Sequence, residues 1–280
     1  MTYEYQYLTL RDGRTLEFAD NGVSSPLALI FHQGTGQDLS GWYPWFDLLS
    51  ERGIRAVAFN RSGYAKSSFK PGRRTVDAVT EVKELSDELG LTGFVSLGWS
   101  GGGSHALATA LDPRCKGVLT LAGIGPYGEP DLDFLDGFKD ADLEEYEAAF
   151  RSIDDLIAII SDDERDVYWT PKDVEAMTRP EWETMGVEPS KRVSSFGWDF
   201  LRDDYSAYLN PWGFDVREIT VPVAIFQGDL DGNVPVGHAR WLQSKIQSSE
   251  LIEKPGEGHI SLVFTYAEEI LQKAADYLLR

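Results

Sequence analysis

The sequence is poor in cysteine and in histidine. Its 280 residues include one cysteine, Cys115, and four histidines. A single cysteine excludes internal disulfides, so we expect Cys115 to be a small buried residue in a cytoplasmic protein. The histidines are scattered, and no metal-binding spacing such as H-E-x-x-H occurs. The sequence therefore predicts no metal site, and we expect no cofactor.

Long apolar segments and basic residues are also scarce. No run of about 18 uncharged apolar residues occurs, which argues against a transmembrane helix. The first residues have neither the basic region nor the apolar region of a secretory signal. The 26 Lys and Arg face 46 Asp and Glu, for a formal net charge of −20. Such a surface repels nucleic acids and anionic membranes, so we expect the partner to be a small-molecule substrate.

Short apolar runs alternate with helix-period segments along most of the chain. A hairpin is predicted around Asp12-Gly13. Apolar runs that predict strands follow at 27–31, 54–59, 94–97, 118–121 and 221–226. Such runs are typical of strands buried on both faces of a parallel sheet. With helical stripes between them, as in 77–89, the pattern predicts an α/β fold with a mostly parallel central sheet flanked by helices.

The alternation stops near Gly125 and resumes at Ile219. Residues 125–210 are acidic, mostly helical in pattern and rich in aromatic side chains. We interpret 1–124 and 211–280 as an α/β core, and 125–210 as a helical cap inserted over the carboxyl edge of the sheet.

The strongest local signal is Gly98-Trp99-Ser100-Gly101-Gly102, between a predicted strand and a predicted helix. In that context Gly-x-Ser-x-Gly indicates a nucleophile elbow, a sharp turn that exposes a serine. The turn leaves no room for a large side chain two residues before or after the serine, which explains the two outer glycines. Ser100 is therefore the candidate nucleophile.

A serine hydroxyl needs a base, and His259 is the best placed of the histidines. It lies in a glycine-containing loop after a strand-like run and before the last helix, where α/β active sites gather. We interpret His32, His105 and His238 as structural or surface residues.

Two carboxylates, Asp229 and Asp231, follow the strand at 221–226 and compete for the role of orienting acid. Either one gives the chain order serine, acid, histidine that this type of site requires. An anionic intermediate also needs donors. The backbone N–H of Gly101 is the first, and the second is expected from Gly34 or Thr35 in the loop after the first core strand.

Five segments together make the chain resemble the α/β-hydrolase superfamily: residues 31–36, 60–67, 98–102, 228–235 and 256–259. A closer resemblance, to a set of bacterial serine hydrolases of largely unassigned substrate, is carried by residues 98–103, 122–127, 211–214 and 255–259. The resemblance implies the fold and a Ser100, Asp231, His259 triad, because the family acid lies three residues after the glycine of its G-x-x-D motif. The sequence departs from the family at Gln33, Asn60 and Ala65, where histidine, aspartate and glycine are usual.

The expected function is hydrolysis of a carboxylic ester of a small or medium substrate through an acyl-enzyme. An aminopeptidase of the prolyl iminopeptidase type is the main alternative, since the acidic cap offers carboxylates to a substrate ammonium. Lactonases and C–C bond hydrolases use the same triad. Fold alone does not choose among them, because this fold hosts many reactions.

Overall fold

A single eight-stranded sheet forms the centre of the protein in the computed structural model, which describes residues 3–162, 165 and 167–280. Its strands are β1 (Gln6–Thr9), β2 (Thr15–Asp20), β3 (Leu27–His32), β4 (Arg55–Phe59), β5 (Gly93–Trp99), β6 (Cys115–Leu121), β7 (Val223–Gly228) and β8 (Ser249–Lys254). They lie in the order β1-β2-β4-β3-β5-β6-β7-β8. The pairs among β3 to β8 are parallel, whereas β1 pairs with β2, and β2 with β4, in antiparallel fashion.

Helices cover both faces of the sheet. They are α1 (Tyr43–Glu51), α2 (Ala78–Glu88), α3 (Gly101–Ala108), α10 (Val236–Lys245), α11 (Ser261–Thr265) and α12 (Ala267–Leu278). Alternate strand residues enter two different apolar clusters, as Leu29 and Phe31 do on one face and Ala28 and Ile30 on the other. Helices α1, α11 and α12 pack in the first cluster, and α2, α3 and α10 pack in the second.

The chain between β6 and β7 is mainly helical. It holds α4 (Asp140–Arg151), α5 (Ile153–Ile160), α6 (Pro171–Met177), α7 (Pro180–Trp182), the π-helical turn Glu183–Val187, α8 (Glu188–Ser194) and α9 (Phe200–Leu209). A 3₁₀ helix, Val216–Glu218, follows α9 in this chain, and three more lie elsewhere: Leu39–Trp42, Thr75–Asp77 and Thr109–Leu111. These helices share an apolar cluster with residues before them and with the core. It includes Phe134, Tyr146, Leu156, Phe200 and, from the core, Tyr64.

The predicted fold class is confirmed: the sheet is mostly parallel and flanked by helices, and the hairpin at Asp12-Gly13 joins β1 to β2. Cys115 is buried, and burial raises the pKa of its thiol to about 12. Within the described residues, no helix has the length and apolarity needed to cross a bilayer.

Candidate active site

Ser100 lies at the junction of β5 and α3 with a backbone conformation that non-glycine residues rarely adopt (φ +55°, ψ −128°). The turn is held by a 2.9 Å hydrogen bond from the Ser100 N–H to the Leu121 carbonyl. A Cβ atom on Gly98 would lie 2.2 Å from the Gly102 carbonyl oxygen, and one on Gly102 would lie 2.4 Å from that of His32. Any side chain at either position would clash, which is the steric reason for the two glycines.

His259 contacts the carboxylate of Asp231, with 2.8 Å between Nδ1 and Oδ2. The other carboxylate oxygen accepts the backbone N–H groups of Asn233 and Val234, each at 2.9 Å, and Gln227 donates to Oδ2 at 3.2 Å. Asp231 is therefore buried, with hydrogen bonds to both of its carboxylate oxygens. Asp229 instead is exposed and accepts the N–H of Gly256 at 2.6 Å. The structure thus brings Asp231, and not Asp229, to the histidine.

The environment of His259 favours its charged form. Burial alone would lower the pKa of the imidazole, but the carboxylates of Asp231, Asp173 and Asp142 outweigh burial and raise the pKa above its ordinary 6.5. An imidazole held in this way by a carboxylate on Nδ1 leaves Nε2 free to exchange a proton with a nearby hydroxyl.

Ser100 and His259 line one cavity of about 380 Å³, together with Gly34, Thr35 and Gly101. A Cβ atom on Gly34 would lie 3.4 Å from the Cβ of Ser100, so this loop residue packs directly against the serine. Aromatic side chains form much of the remaining wall. One comes from β5 and the others from the chain between β6 and β7: Trp99, Tyr146, Trp169, Trp182, Trp198, Phe200, Tyr205 and Tyr208.

A smaller apolar pocket adjoins this cavity. It holds about 20 Å³ of free space and shares Gly34, Gln37, Trp99, Trp182 and Ile260 with the cavity. Its other apolar walls are Trp42, Met185, Val263 and Phe264.

A buried ionic network lies behind the Gly34-Thr35 loop. Its centre is Asp204 of α9, which accepts from Arg61 at 2.7 and 3.3 Å and also from Arg73. All three side chains are almost fully buried. Three hydroxyl groups also donate to this carboxylate, those of Tyr64, Tyr208 and Thr35. The Thr35 and Tyr208 hydroxyls are 2.6 Å apart, and a Cβ atom on Gly101 would clash with both.

One end of the cavity is polar. Glu145 of α4 pairs with Arg165 at 2.7 Å, and Asn233 donates to Asp142 at 3.4 Å. Among the described residues, the second carboxylate oxygen of Asp142 has no hydrogen-bond partner. Burial raises the pKa of both carboxyl groups against the opposing effect of Arg165, that of Glu145 to about 7.

The other three histidines are buried away from this centre. Nδ1 of His105 contacts the Gly101 carbonyl, His238 accepts the N–H of Gly125, and His32 approaches the Ser96 hydroxyl at 3.4 Å. Burial lowers the pKa of each of the three. Sequence patterns gave no sign of Tyr208, Asp142 or Glu145 at the site, since only the tertiary fold brings them to Ser100. Within the described residues, no group of three His, Cys, Asp or Glu side chains is arranged to hold a metal ion.

Comparisons with known proteins agree with this architecture. Residues 28–265 match the model of the alpha/beta hydrolase fold family. The chain is 23% identical over 270 residues to the non-heme chloroperoxidase of Burkholderia pyrrocinia, covering 90% of this chain and 92% of that one. An esterase from Exiguobacterium antarcticum superposes with a TM-score of 0.72 at 17% identity, covering 99% of this chain and all of the esterase. The enol-lactonase of Burkholderia xenovorans superposes with a TM-score of 0.68 at 18% identity, covering 98% and 100%. At such identities the structural likeness establishes the fold alone, while the family match extends over most of the chain: this protein belongs to the α/β-hydrolase family.

Proposed function

We propose that the protein hydrolyses a carboxylic ester through an acyl-enzyme, with Ser100, His259 and Asp231 as a catalytic triad. The observation that carries the proposal is the 2.8 Å contact between His259 and the buried Asp231, in a cavity that also holds Ser100 at its sharp turn. The Ser100 hydroxyl attacks the ester carbonyl while His259 takes its proton. His259 then gives the proton to the leaving alcohol, and a water molecule cleaves the acyl-enzyme in the same manner.

The tetrahedral intermediates carry an oxyanion that needs hydrogen-bond donors. We assign the first donor to the backbone N–H of Gly101, at the start of α3, where the helix dipole also favours negative charge. The second comes from the Gly34-Thr35 loop. Packing of Gly34 on Ser100 and the Thr35 hydroxyl beside Gly101 support this assignment.

We further propose that residues 125–210 form a cap that encloses the substrate. The helices of this stretch contribute most residues of one apolar cluster and supply most of the aromatic cavity wall. The small side pocket adjoins Gly34 and is apolar, so it suits a short acyl chain, with the alcohol part in the larger cavity. Its free space of about 20 Å³ is only a little more than one water molecule needs. The pocket therefore has room for an acetyl group and favours it over long acyl groups.

The test uses p-nitrophenyl esters of increasing chain length and a fluorophosphonate probe. Ser100→Ala should lower kcat by about 10³-fold or more and abolish labelling. Ser195→Ala removes an exposed hydroxyl outside the cavity and is the matched control. Met185→Ala enlarges the side pocket and should move the preference to longer acyl chains. Undiminished turnover in purified Ser100→Ala protein would exclude the acyl-enzyme.

An aminopeptidase is the second candidate, and one observation favours it. Asp142 presents a buried carboxylate to the cavity with one oxygen unpartnered among the described residues. A substrate ammonium would neutralise it, and buried charges are stable when they are paired. Aminoacyl-naphthylamides distinguish the two functions, because an esterase leaves them intact. Cleavage that Asp142→Asn reduces would favour the aminopeptidase.

A further inference from the structure

The start of helix α6 forms an unusual junction with the loop that carries His259. Thr170 and Asp173 form a capping box: the Asp173 N–H donates to the Thr170 hydroxyl at 3.1 Å, and the Thr170 N–H and hydroxyl donate to Oδ2 of Asp173 at 3.2 and 2.9 Å. A capping box satisfies the helix end and needs only one oxygen of the carboxylate. The other oxygen, Oδ1, is left for a different contact, and Asp173 is only 1% exposed.

Oδ1 of Asp173 binds the two residues that follow His259. The N–H of Ile260 donates to it at 2.9 Å and the N–H of Ser261 at 2.8 Å. These two groups begin helix α11 and have few intrahelical acceptors, because the first N–H groups of a helix lack partners. A carboxylate from α6 thus fixes the backbone directly after the proposed catalytic base.

The same carboxylate explains a glycine of the histidine loop. A Cβ atom on Gly258 would lie 1.9 Å from Oδ2 of Asp173, closer than any two such atoms approach. Lys172, the residue before Asp173, also binds this loop, with 2.5 Å between its Nζ and Oε1 of Glu257. Both chain neighbours of His259 therefore contact Asp173: Gly258 packs against its carboxylate, and Ile260 donates a hydrogen bond to it.

Charge is the second consequence of this packing. Three carboxylates act on His259: Asp231 from the turn after β7, Asp173 from α6 and Asp142 from α4. The other charged or titratable side chains of the cavity are Glu145, Arg165, Tyr146, Tyr205 and Tyr208. Asp231 touches the ring itself. Asp173 does not hydrogen-bond to the ring, yet its negative charge also favours imidazolium.

We propose that Asp173 is a positioning residue for His259. It holds the backbone of residues 258–261 so that the imidazole stays aligned with Ser100, and its charge stabilises the imidazolium that forms when Ser100 loses its proton. Because Asp173 belongs to the chain inserted between β6 and β7, the histidine is aligned only while α6 is seated on the core. The inference rests on the proposed function, since it assigns Asp173 to the same reaction.

The central variant is Asp173→Asn, which keeps an acceptor for the two N–H groups and removes the charge. We expect kcat/KM for p-nitrophenyl acetate to fall about tenfold, mainly through kcat. The acid limb of its pH profile should move to lower pH by roughly 0.5 or more. Thr170→Val is the matched control: it breaks the capping box at the same helix end but leaves the carboxylate on the histidine loop. It should destabilise the protein without moving that limb.

A mutant cycle tests the geometry independently of charge. Gly258→Ala should lower kcat by about 100-fold, because its new methyl group overlaps Asp173. In an Asp173→Ala background, Gly258→Ala should lower kcat far less, because no carboxylate then occupies the space of the new methyl group. The effects of the two single substitutions on kcat should therefore not add. Circular dichroism establishes that each variant is folded. Should Asp173→Ala fail to fold, Asp173→Ser gives the second background, because its shorter side chain also leaves room for the new methyl group.

NMR titration measures the pKa of the His259 imidazole without any substrate turnover. The His259 signals are assigned as those that disappear in His259→Gln. A lower pKa in Asp173→Asn supports the proposal. An unchanged His259 titration together with unchanged kcat, or identical effects of Thr170→Val and Asp173→Asn, would overturn it. Failure of the proposed function looks different: wild-type protein would neither cleave the ester nor label at Ser100, while the titration still reports on Asp173.

Discussion

Asp204→Asn is the substitution that most directly tests how the ionic network supports the loop beside Ser100. The variant has nearly the same shape and removes one negative charge. In the native protein that charge faces the guanidinium groups of Arg61 and Arg73, which are almost completely buried. The amide nitrogen of the new asparagine is itself a donor. It would face groups, such as the Arg61 and Arg73 guanidiniums, that now donate to the carboxylate.

The magnitude follows from burial. Removing one partner of a buried ion pair costs about 3–5 kcal/mol, because the remaining charge has no water to solvate it. Both guanidiniums lose this partner, while the asparagine oxygen still accepts hydrogen bonds. We therefore expect a loss of at least about 3 kcal/mol, a large part of the 5–15 kcal/mol typical of a folded protein. The Thr35 hydroxyl donates to the same carboxylate, so a rearrangement of this network should shift the loop beside Ser100 and lower kcat.

Urea unfolding at pH 7 measures the loss, as a midpoint lower by about 1 M or more at a typical slope. Asp203→Asn is the matched control. Asp203 is buried on the same helix, but it accepts the backbone N–H of Lys70 at 3.0 Å and burial raises its pKa, so neutralising it should cost little. A loss below 1 kcal/mol in Asp204→Asn, or equal losses in both variants, would refute the reasoning.

The pH dependence of the same experiment has a definite sign. Burial alone would raise the pKa of Asp204, but Arg61 and Arg73 outweigh it and hold that pKa far below its ordinary value. A lowered folded-state pKa contributes stability above the unfolded carboxyl value of about 3.9, and that stability is lost as the pH falls. The difference between wild type and Asp204→Asn should therefore be constant from pH 7 to about 5 and should narrow below about 4.

Three further outcomes are expected at the site. Asp231→Asn should lower kcat for p-nitrophenyl acetate by about 10³- to 10⁴-fold, while Asp229→Asn stays near wild type, and equal losses would contradict the assignment of the acid. His259, the proposed base, must be neutral to accept a proton, and nearby carboxylates raise its pKa above 6.5. We therefore expect kcat/KM to fall as the pH is lowered, with its half-point above 6.5, and a half-point well below 6.5 would contradict this. Glu145, whose pKa burial raises to about 7, loses its proton as the pH rises through 7, so KM for an anionic ester should increase there. Glu145→Gln should abolish that increase in KM. If the increase persists in this variant, a group other than Glu145 causes it.

Asn60 illustrates why a departure from a family pattern is hard to interpret from sequence alone. Its amide donates to the carboxylates of Glu17 and Asp38 at 2.7 Å each, and its oxygen accepts the N–H of Leu39 at 2.9 Å. All of these groups are buried. The usual aspartate would here place a third carboxylate beside two others, which asparagine avoids. The three partners are distant in sequence, so no local pattern announces them.

The sequence by itself determined the fold class and the candidate nucleophile and base of this protein. Those features depend on local physics: apolar periodicity specifies strands and helices, and the sharp turn at Ser100 requires glycine at neighbouring positions along the chain. Between Asp229 and Asp231, spacing alone left the choice open, and the resemblance selected Asp231. Only the tertiary structure placed that side chain on His259. It also decided which side chains from the helices between β6 and β7 reach the site, Tyr208, Asp142, Glu145 and Asp173 among them. Their roles depend on contacts between segments far apart in the chain, where burial and charge act through space and leave no periodic trace in the sequence.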